Sequence, residues 1–248
     1  MDIGSTGTRW CLSDIETQIL AEGTSTELRG PWAEASQALQ GIKALITSMG
    51  HAPLLALVIG ITGSDSKHAA ELAHALSAQF DLALDRIEIM SDIELACLAH
   101  FEPGEGYLIY AGTGSIAGFW DSSLSFHRCG GRGPLIDDAG GGHWIARQAL
   151  QHIWRSEESK PGSLQTMPLA RRLCEAMQAF DWPSQRAWIN QADRGKFGEL
   201  ALAVASEVDE DSEAILRAAG QALARLANTM VDNFGQRPLG LAGGAFSL

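Results

Sequence analysis

Four short runs rich in β-branched or aromatic residues constrain the fold more than any other feature: Ile59–Ile61, Ile87–Met90, Tyr107–Ala111 and Ile116–Trp120. Each is too short for a helix, and helical patterns lie between and after them. From Pro31 to Gly50, Trp32, Ala35, Leu39, Ile42, Leu45 and Met49 recur at steps of three and four, with proline at the start and glycine just past the end. Three further stripes follow. Trp144, Ile145, Gln148, Ala149, Ile153 and Trp154 open one; Leu169, Leu173, Met177 and Phe180 mark a second. Ile215, Leu216, Ala219, Leu223, Leu226, Met230, Val231 and Phe234 form a long one that ends at Gly235. Strands separated by helices predict an α/β architecture rather than a sandwich or a bundle. The texture changes near residue 143, beyond which the pattern is mostly helical. The polar stretch Ser156–Gly162 predicts a surface loop, and no internal sequence repeat is visible.

Charge narrows the function. Lys+Arg number 18 against Asp+Glu 30, a formal net charge of −12. A phosphate backbone or an anionic membrane surface asks for clustered positive charge, so neither is an expected partner. The longest apolar run, Pro53–Ile61, falls far short of the roughly 20 residues that span a bilayer. No basic segment leads into an apolar stretch at the start, so no signal peptide is expected. Cys11, Cys97, Cys129 and Cys174 lie far apart, which argues against a zinc site or a disulfide framework. A reduced, cytosolic protein is the expectation.

Chemistry concentrates in glycine-rich segments at strand ends. Asp2-Ile3-Gly4-Ser5-Thr6-Gly7-Thr8-Arg9 offers backbone N–H groups and hydroxyls to a phosphate and a carboxylate to Mg2+, or forms a plain hairpin turn. Gly112-Thr113-Gly114-Ser115 admits the same two readings. From Cys129 to Gly142, glycine-rich chain runs into the Trp144 helix; a helix start there favours an anion, while a lid without fixed contacts is the alternative. Leu239 to Ala245 is an apolar strand ending in paired glycines, on which a flat ligand can lie or which form a plain strand-to-helix turn. Asp92 follows the Ile87–Met90 strand and begins a helical run, so it is either an N-cap or a carboxylate aimed into a cleft.

In order, DxGSTxT, SD-x(3)-A, GTGS, CGGRGPLIDDAGGGHWIARQAL and a terminal LAGGAF resemble the BadF/BadG/BcrA/BcrD-type ATPase family, and within it the bacterial glucosamine kinases and N-acetylglucosamine kinases. The likeness covers nearly the whole chain. It implies two ribonuclease-H-like lobes of the actin-like ATPase fold around a central nucleotide cleft. The N-terminal lobe would span residues 1–105; the C-terminal lobe, with a helical insert and the adenosine-binding segment, would span 106–248. The implied reaction is phosphorylation of an amino sugar, glucosamine or N-acetylglucosamine, at its 6-hydroxyl with ATP and Mg2+. Asp2, Gly4, Thr6 and Thr8 would form the first phosphate loop, with Asp2 on the metal side. Thr113, Gly114 and Ser115 would form the second, and Gly243 and Gly244 would lie against the adenosine. Asp92 would take the proton of the attacking hydroxyl. Asp138 would hold sugar hydroxyls, with Cys129 and Gly131 lining the same pocket.

The departures from the family pattern fall in the sugar segment. GGWG reads Gly130-Gly131-Arg132-Gly133, and GDEGS reads Asp137-Asp138-Ala139-Gly140-Gly141. Glu27 stands where an asparagine often follows the first lobe's substrate loop. A degenerate ATP- or sugar-binding protein without turnover is the alternative these changes motivate, although such a protein has no chemical need for Asp2 and Asp92. An activator ATPase of CoA-ester dehydratases or reductases is a further alternative; it needs paired cysteines for an iron–sulfur cluster, and Cys129 stands alone in its loop. A homodimer is compatible with the composition.

Overall fold

A computed structural model describes residues 1–4, 7–30, 35–48, 54–63, 66–206 and 209–248. The chain divides into two compact units, Met1–Ala99 and His100–Leu248.

In the first unit, β1 (Asp2–Ile3), β2 (Thr8–Ser13) and β3 (Ile19–Ser25) form an antiparallel meander. β4 (Leu57–Ile61) and β5 (Ile87–Ser91) join it in parallel, giving the order β3-β2-β1-β4-β5. Helices α1 (Ala35–Ser48) and α2 (Ser66–Phe80) cover one face. Their buried stripes, Ala38, Ile42 and Ile46 on α1 and Leu72 and Leu76 on α2, pack on Ile3, Leu57, Ile59 and Ile61 of the sheet. The buried line of α1 is thus one residue off the expected one, with Leu39 and Leu45 only partly covered. Its expected ends, including Pro31, Trp32, Met49 and Gly50, lie outside the described residues. On the other face, α3 (Asp92–His100) crosses β4 so closely that a Cβ on Gly60 would meet Leu95 at 2.8 Å.

The second unit repeats this plan. β6 (Tyr107–Ala111), β7 (Ser115–Trp120) and β8 (Phe126–Gly130) form a meander, and β9 (Leu239–Ala242) pairs in parallel with β6. The order β8-β7-β6-β9 is the first sheet's order with one strand fewer. Between β8 and β9 run α4 (Gly142–Ser159), α5 (Ser163–Thr166), α6 (Pro168–Met177), α7 (Trp182–Gln191), α8 (Arg194–Gly198), α9 (Leu200–Ala205) and α10 (Glu210–Phe234). α10 lays Leu223, Ala227 and Met230 on Tyr107, Ile109 and Phe119 of the sheet, while α4, α6 and α9 build a separate core around Ile145, Leu173 and Val204.

Local chemistry explains these helices' ends. Asp209 caps α10 by accepting from the Ser212 N–H, acids fill its first turn, and Gly235 (φ 85°) ends it as expected. Two expectations need correction. Ser156–Ser159 is the last turn of α4 rather than loop, and Glu157 orders the following turn by accepting from the Gly162 and Leu164 N–H groups at 3.0 and 2.8 Å. Phe180 lies beyond α6, which stops at Met177 because Gln178 takes the left-handed conformation, and it is 65% exposed. Among the described residues no helix is long and apolar enough to cross a membrane.

Candidate active site

The carboxyl ends of three parallel strands, β1, β4 and β5, bring together Asp2, the Gly4–Gly7 turn and Asp92. Strand pairing aligns Ile3 with Ile61 and Ile61 with Ser91, so the segments that follow leave the sheet side by side. The turn closes by a 2.9 Å bond from Gly4 N–H to Gly7 O. Thr6 lies outside the described residues.

Asp92 is not the cap of α3. Ser91 holds that place: the Glu94 N–H donates to Ser91 Oγ at 3.3 Å, and the Ser91 N–H donates to Glu94 Oε2 at 2.7 Å, a reciprocal capping box. The S-x-x-E spacing was legible in the sequence. Asp92 is left at the strand end, where Oδ2 accepts from Thr62 Oγ1 at 2.5 Å and Oδ1 from the Ile93 N–H at 2.9 Å. Asp2 is raised above the ordinary carboxylate range by burial and by the negative charge of Asp92, against the pull of Arg9, whose Nη2 is 3.8 Å away. Two neighbouring carboxylates suit a hard dication, which takes one or two carboxylates and completes its shell with water and phosphate oxygens. No group of three or more His, Cys, Asp or Glu gathers among the described residues, so any metal held here relies on such outside ligands.

Thr8 differs from expectation. It is 1% exposed, and its hydroxyl donates to Leu28 O at 2.7 Å. Its side chain braces the turn from behind. The Gly30 N–H adds a second tie, to Gly4 O at 3.1 Å.

The equivalent turn of the second unit is built the same way. Gly112-Thr113-Gly114 joins β6 to β7, with the Gly112 N–H on Gly114 O at 2.9 Å. Ser115, like Thr8 the first residue of its strand, is 3% exposed and donates its hydroxyl to Ala139 O at 2.8 Å. Gly112 O accepts from Gly142 N–H at 2.8 Å, the counterpart of the Gly4–Gly30 bond. In both units the loop leaving the third strand therefore braces the turn between the first two.

The same bonds correct the anion expected at the start of α4. Its first N–H groups, Gly142 and His143, already donate to Gly112 O and Thr113 O. Nor is Cys129–Gly142 a loose lid. A Gly133–Asp137 turn, Arg128 Nη2 on Gly131 O (2.9 Å) and Arg147 Nη1 on Pro134 O (3.2 Å) fix it. Cys129 lies in β8 against the sheet core, and Gly131 (φ 66°) backs onto Ile116. Asp138 is 2% exposed, with φ 63°. Its Oδ1 accepts from the Gly133 N–H at 3.3 Å, and its Oδ2 pairs with Arg194 of α8, a partner the sequence reading did not name. Arg132 is exposed; Ala139, half-buried, contributes the carbonyl that Ser115 uses.

The paired glycines differ from one another. Gly243 (φ 101°) lies so close to β6 that a Cβ would collide with the Ala111 backbone, whereas a Cβ on Gly244 would meet open space. Beside them β9 leaves Leu239 and Leu241 exposed at the rim of an apolar hollow of about 490 Å3 that Ile145, Leu223 and Phe246 also line.

Against known proteins, the model of the BadF/BadG/BcrA/BcrD ATPase family matches residues 1–248. An N-acetyl-D-glucosamine kinase of Dictyostelium discoideum is 31% identical over 137 residues, 52% of this chain and 42% of that protein. The match thus spans less than half of that relative's length. Among solved structures, a Chromobacterium violaceum protein with a provisional N-acetylglucosamine kinase assignment superposes with a TM-score of 0.76 at 24% identity, over 99% of this chain and 86% of that one. A ROK family glucokinase from Streptomyces griseus, in complex with glucose and AMPPNP, superposes at 0.61 and 16% identity, over 99% and 82%. The chain shares its fold with these solved structures.

Proposed function

The chain belongs to the BadF/BadG/BcrA/BcrD ATPase family, and on that premise we propose that it is an ATP- and Mg2+-dependent kinase that phosphorylates an amino sugar, glucosamine or N-acetylglucosamine, at the 6-hydroxyl. The observation that carries this reading is Asp92, a strand-end carboxylate relieved of helix capping by Ser91 and Glu94. Phosphoryl transfer asks a protein for positioning and charge neutralisation more than for covalent work. In this reading Asp92 orients the sugar 6-hydroxyl, held in place by Thr62, and accepts its proton as the new O–P bond forms.

The turns hold phosphate by backbone rather than by buried hydroxyls. The N–H groups of Thr113 and Gly114 and the Thr113 hydroxyl serve one turn, and the Gly4–Gly7 segment, with Thr6, serves the other. Thr8 and Ser115 act behind them. Asp2 would hold Mg2+, which would supply positive charge to offset that of the phosphates. Gly244 offers its open face to the adenosine, while Gly243 sets the chain path. Asp138, Cys129 and Gly131 serve the sugar, with the Asp138 carboxylate accepting from its hydroxyls.

A coupled ADP-release assay with Mg-ATP and a panel of hexoses and hexosamines tests the reading. Release should depend on an amino sugar and fall at least about a thousandfold in Asp92→Asn, with nucleotide binding retained. Measurable nucleotide binding without release by any sugar would defeat it and favour a binder without turnover.

A further inference from the structure

We propose that Arg194 of α8 is a positioning residue for the acceptor sugar: its ion pair with Asp138 orients that buried carboxylate toward the sugar hydroxyls that donate to it. The inference deepens the kinase reading and rests on it.

The geometry is specific. Asp138 stands in a left-handed backbone conformation that side chains other than glycine rarely adopt, and its own carbonyl accepts from the Gly141 N–H at 3.1 Å. Such a conformation persists where the surroundings over-determine it. A Cβ on Gly114 would lie 2.6 Å from Asp138 Oδ2 and would also collide with Arg194 Nη2, so the pair nests on the Gly112–Ser115 turn where only glycine fits. Arg194 is delivered from the start of α8, which Asp193 caps by accepting from the Lys196 N–H at 2.8 Å. Three separate segments thus meet at one carboxylate.

Capacity for a ligand remains. A carboxylate oxygen carries two lone pairs. Oδ2 uses one on Arg194 and Oδ1 one on Gly133, so each can accept a further hydroxyl. A buried carboxylate without a cation beside it tends to take up a proton, which turns one of its acceptor oxygens into a donor. The charges facing Asp138 are Asp137 of its own loop, which raises its proton affinity, and Arg194 of α8 and His143 of α4, which lower it. Arg147 stands behind His143. Burial pushes Asp138 up, and Arg194 is the strongest of the groups that hold it down. His143, itself pushed below its usual range by burial and by both arginines, is a weak substitute for that charge at neutral pH.

The test uses the full chain with Arg194→Met and Arg194→Lys, assayed by ADP release from pH 5.5 to 8.5 on glucosamine and N-acetylglucosamine. In Arg194→Met the sugar KM should rise, and rise more at the acid end of that range than at the alkaline end, as expected for an acid that takes up a proton more readily without the guanidinium. The KM for ATP should stay within about twofold, and Arg194→Lys should restore most of the sugar KM. A loss equal at every pH, or shared by the ATP KM, overturns the inference. A substrate-free readout separates it from the kinase reading: carbon-13 NMR titration of the Asp138 carboxyl. The midpoint should move up in Arg194→Met and return in Arg194→Lys. An unmoved midpoint overturns the role of Arg194 while sugar-dependent turnover still upholds the kinase; absent turnover in the unsubstituted chain defeats the kinase reading itself. Should Arg194→Met fail to fold, Arg194→Gln takes its place.

Discussion

Replacing Thr8 with Val keeps the shape of the side chain and removes one O–H. The hydroxyl it removes is buried and donates to Leu28 O at 2.7 Å. The substitution therefore leaves a carbonyl beneath the turn without that partner, at a cost of about 1–3 kcal/mol. In a chain of this size each kcal/mol lowers the melting temperature by roughly 2–4 °C, so a loss of about 2–12 °C is expected. Thr8→Ser, which keeps the hydroxyl, should recover most of it. Ser115→Ala removes the equivalent bond to Ala139 O and should behave alike. Urea unfolding measures the stability, and titration with a non-hydrolysable ATP analogue measures nucleotide affinity, at a temperature where both variants are folded. Stability should fall while the dissociation constant changes by less than about threefold. A tenfold weaker nucleotide affinity with undiminished stability would refute the brace and put these hydroxyls on phosphate.

Other outcomes follow from the same geometry. Gly243→Ala should fold poorly, because it combines a left-handed backbone with a collision against Ala111, while Gly244→Ala should melt within about 2 °C of the unsubstituted chain; equal behaviour of the two would contradict the packing. Ser91→Ala should cost about 1 kcal/mol through the lost cap yet retain sugar-dependent turnover, the reverse of Asp92→Asn, as unfolding and turnover assays would show. Asp121, the hinge of the β7–β8 hairpin, is held well below the ordinary carboxylate range, first by its bond to His127 at 2.7 Å and then by Ser123 and Ser125. Its folded affinity for protons lies below the unfolded one, so its contribution is complete above about pH 4 and is lost as pH falls below that. Asp121→Asn should flatten the fall in stability between pH 4 and pH 2, and an unchanged slope would count against it.

What the sequence revealed depended on how strongly each residue was tied to one environment. β6, almost wholly buried, and β4, in which Val58 alone is exposed, read clearly as continuous apolar runs. β2 and β3 did not, because they form the outer part of their sheet: β3 leaves Ile19 and Leu20 exposed, which blurs its alternation. α2 escaped because its buried Leu72 and Leu76 are diluted among alanine and histidine. Both turns were visible as glycine–hydroxyl segments, yet which hydroxyl faces outward depends on Leu28 and Ala139, carbonyls that carry no side-chain signature. Arg194 could not be found from spacing, since it lies 56 residues from Asp138 and reaches it through a five-residue helix.

The twin braces also bear on how the chain assembles as it is made. Thr8 and Leu28 are separated by 20 positions, and Ser115 and Ala139 by 24. Closures of that length are fast, and neither draws on residues of the other unit. The first turn can be braced as soon as its own meander and exit loop have left the ribosome, long before the second meander is synthesised. A nascent chain halted after the first unit should already resist proteolysis across β1–β3, and the two halves can be acquired in series rather than all at once.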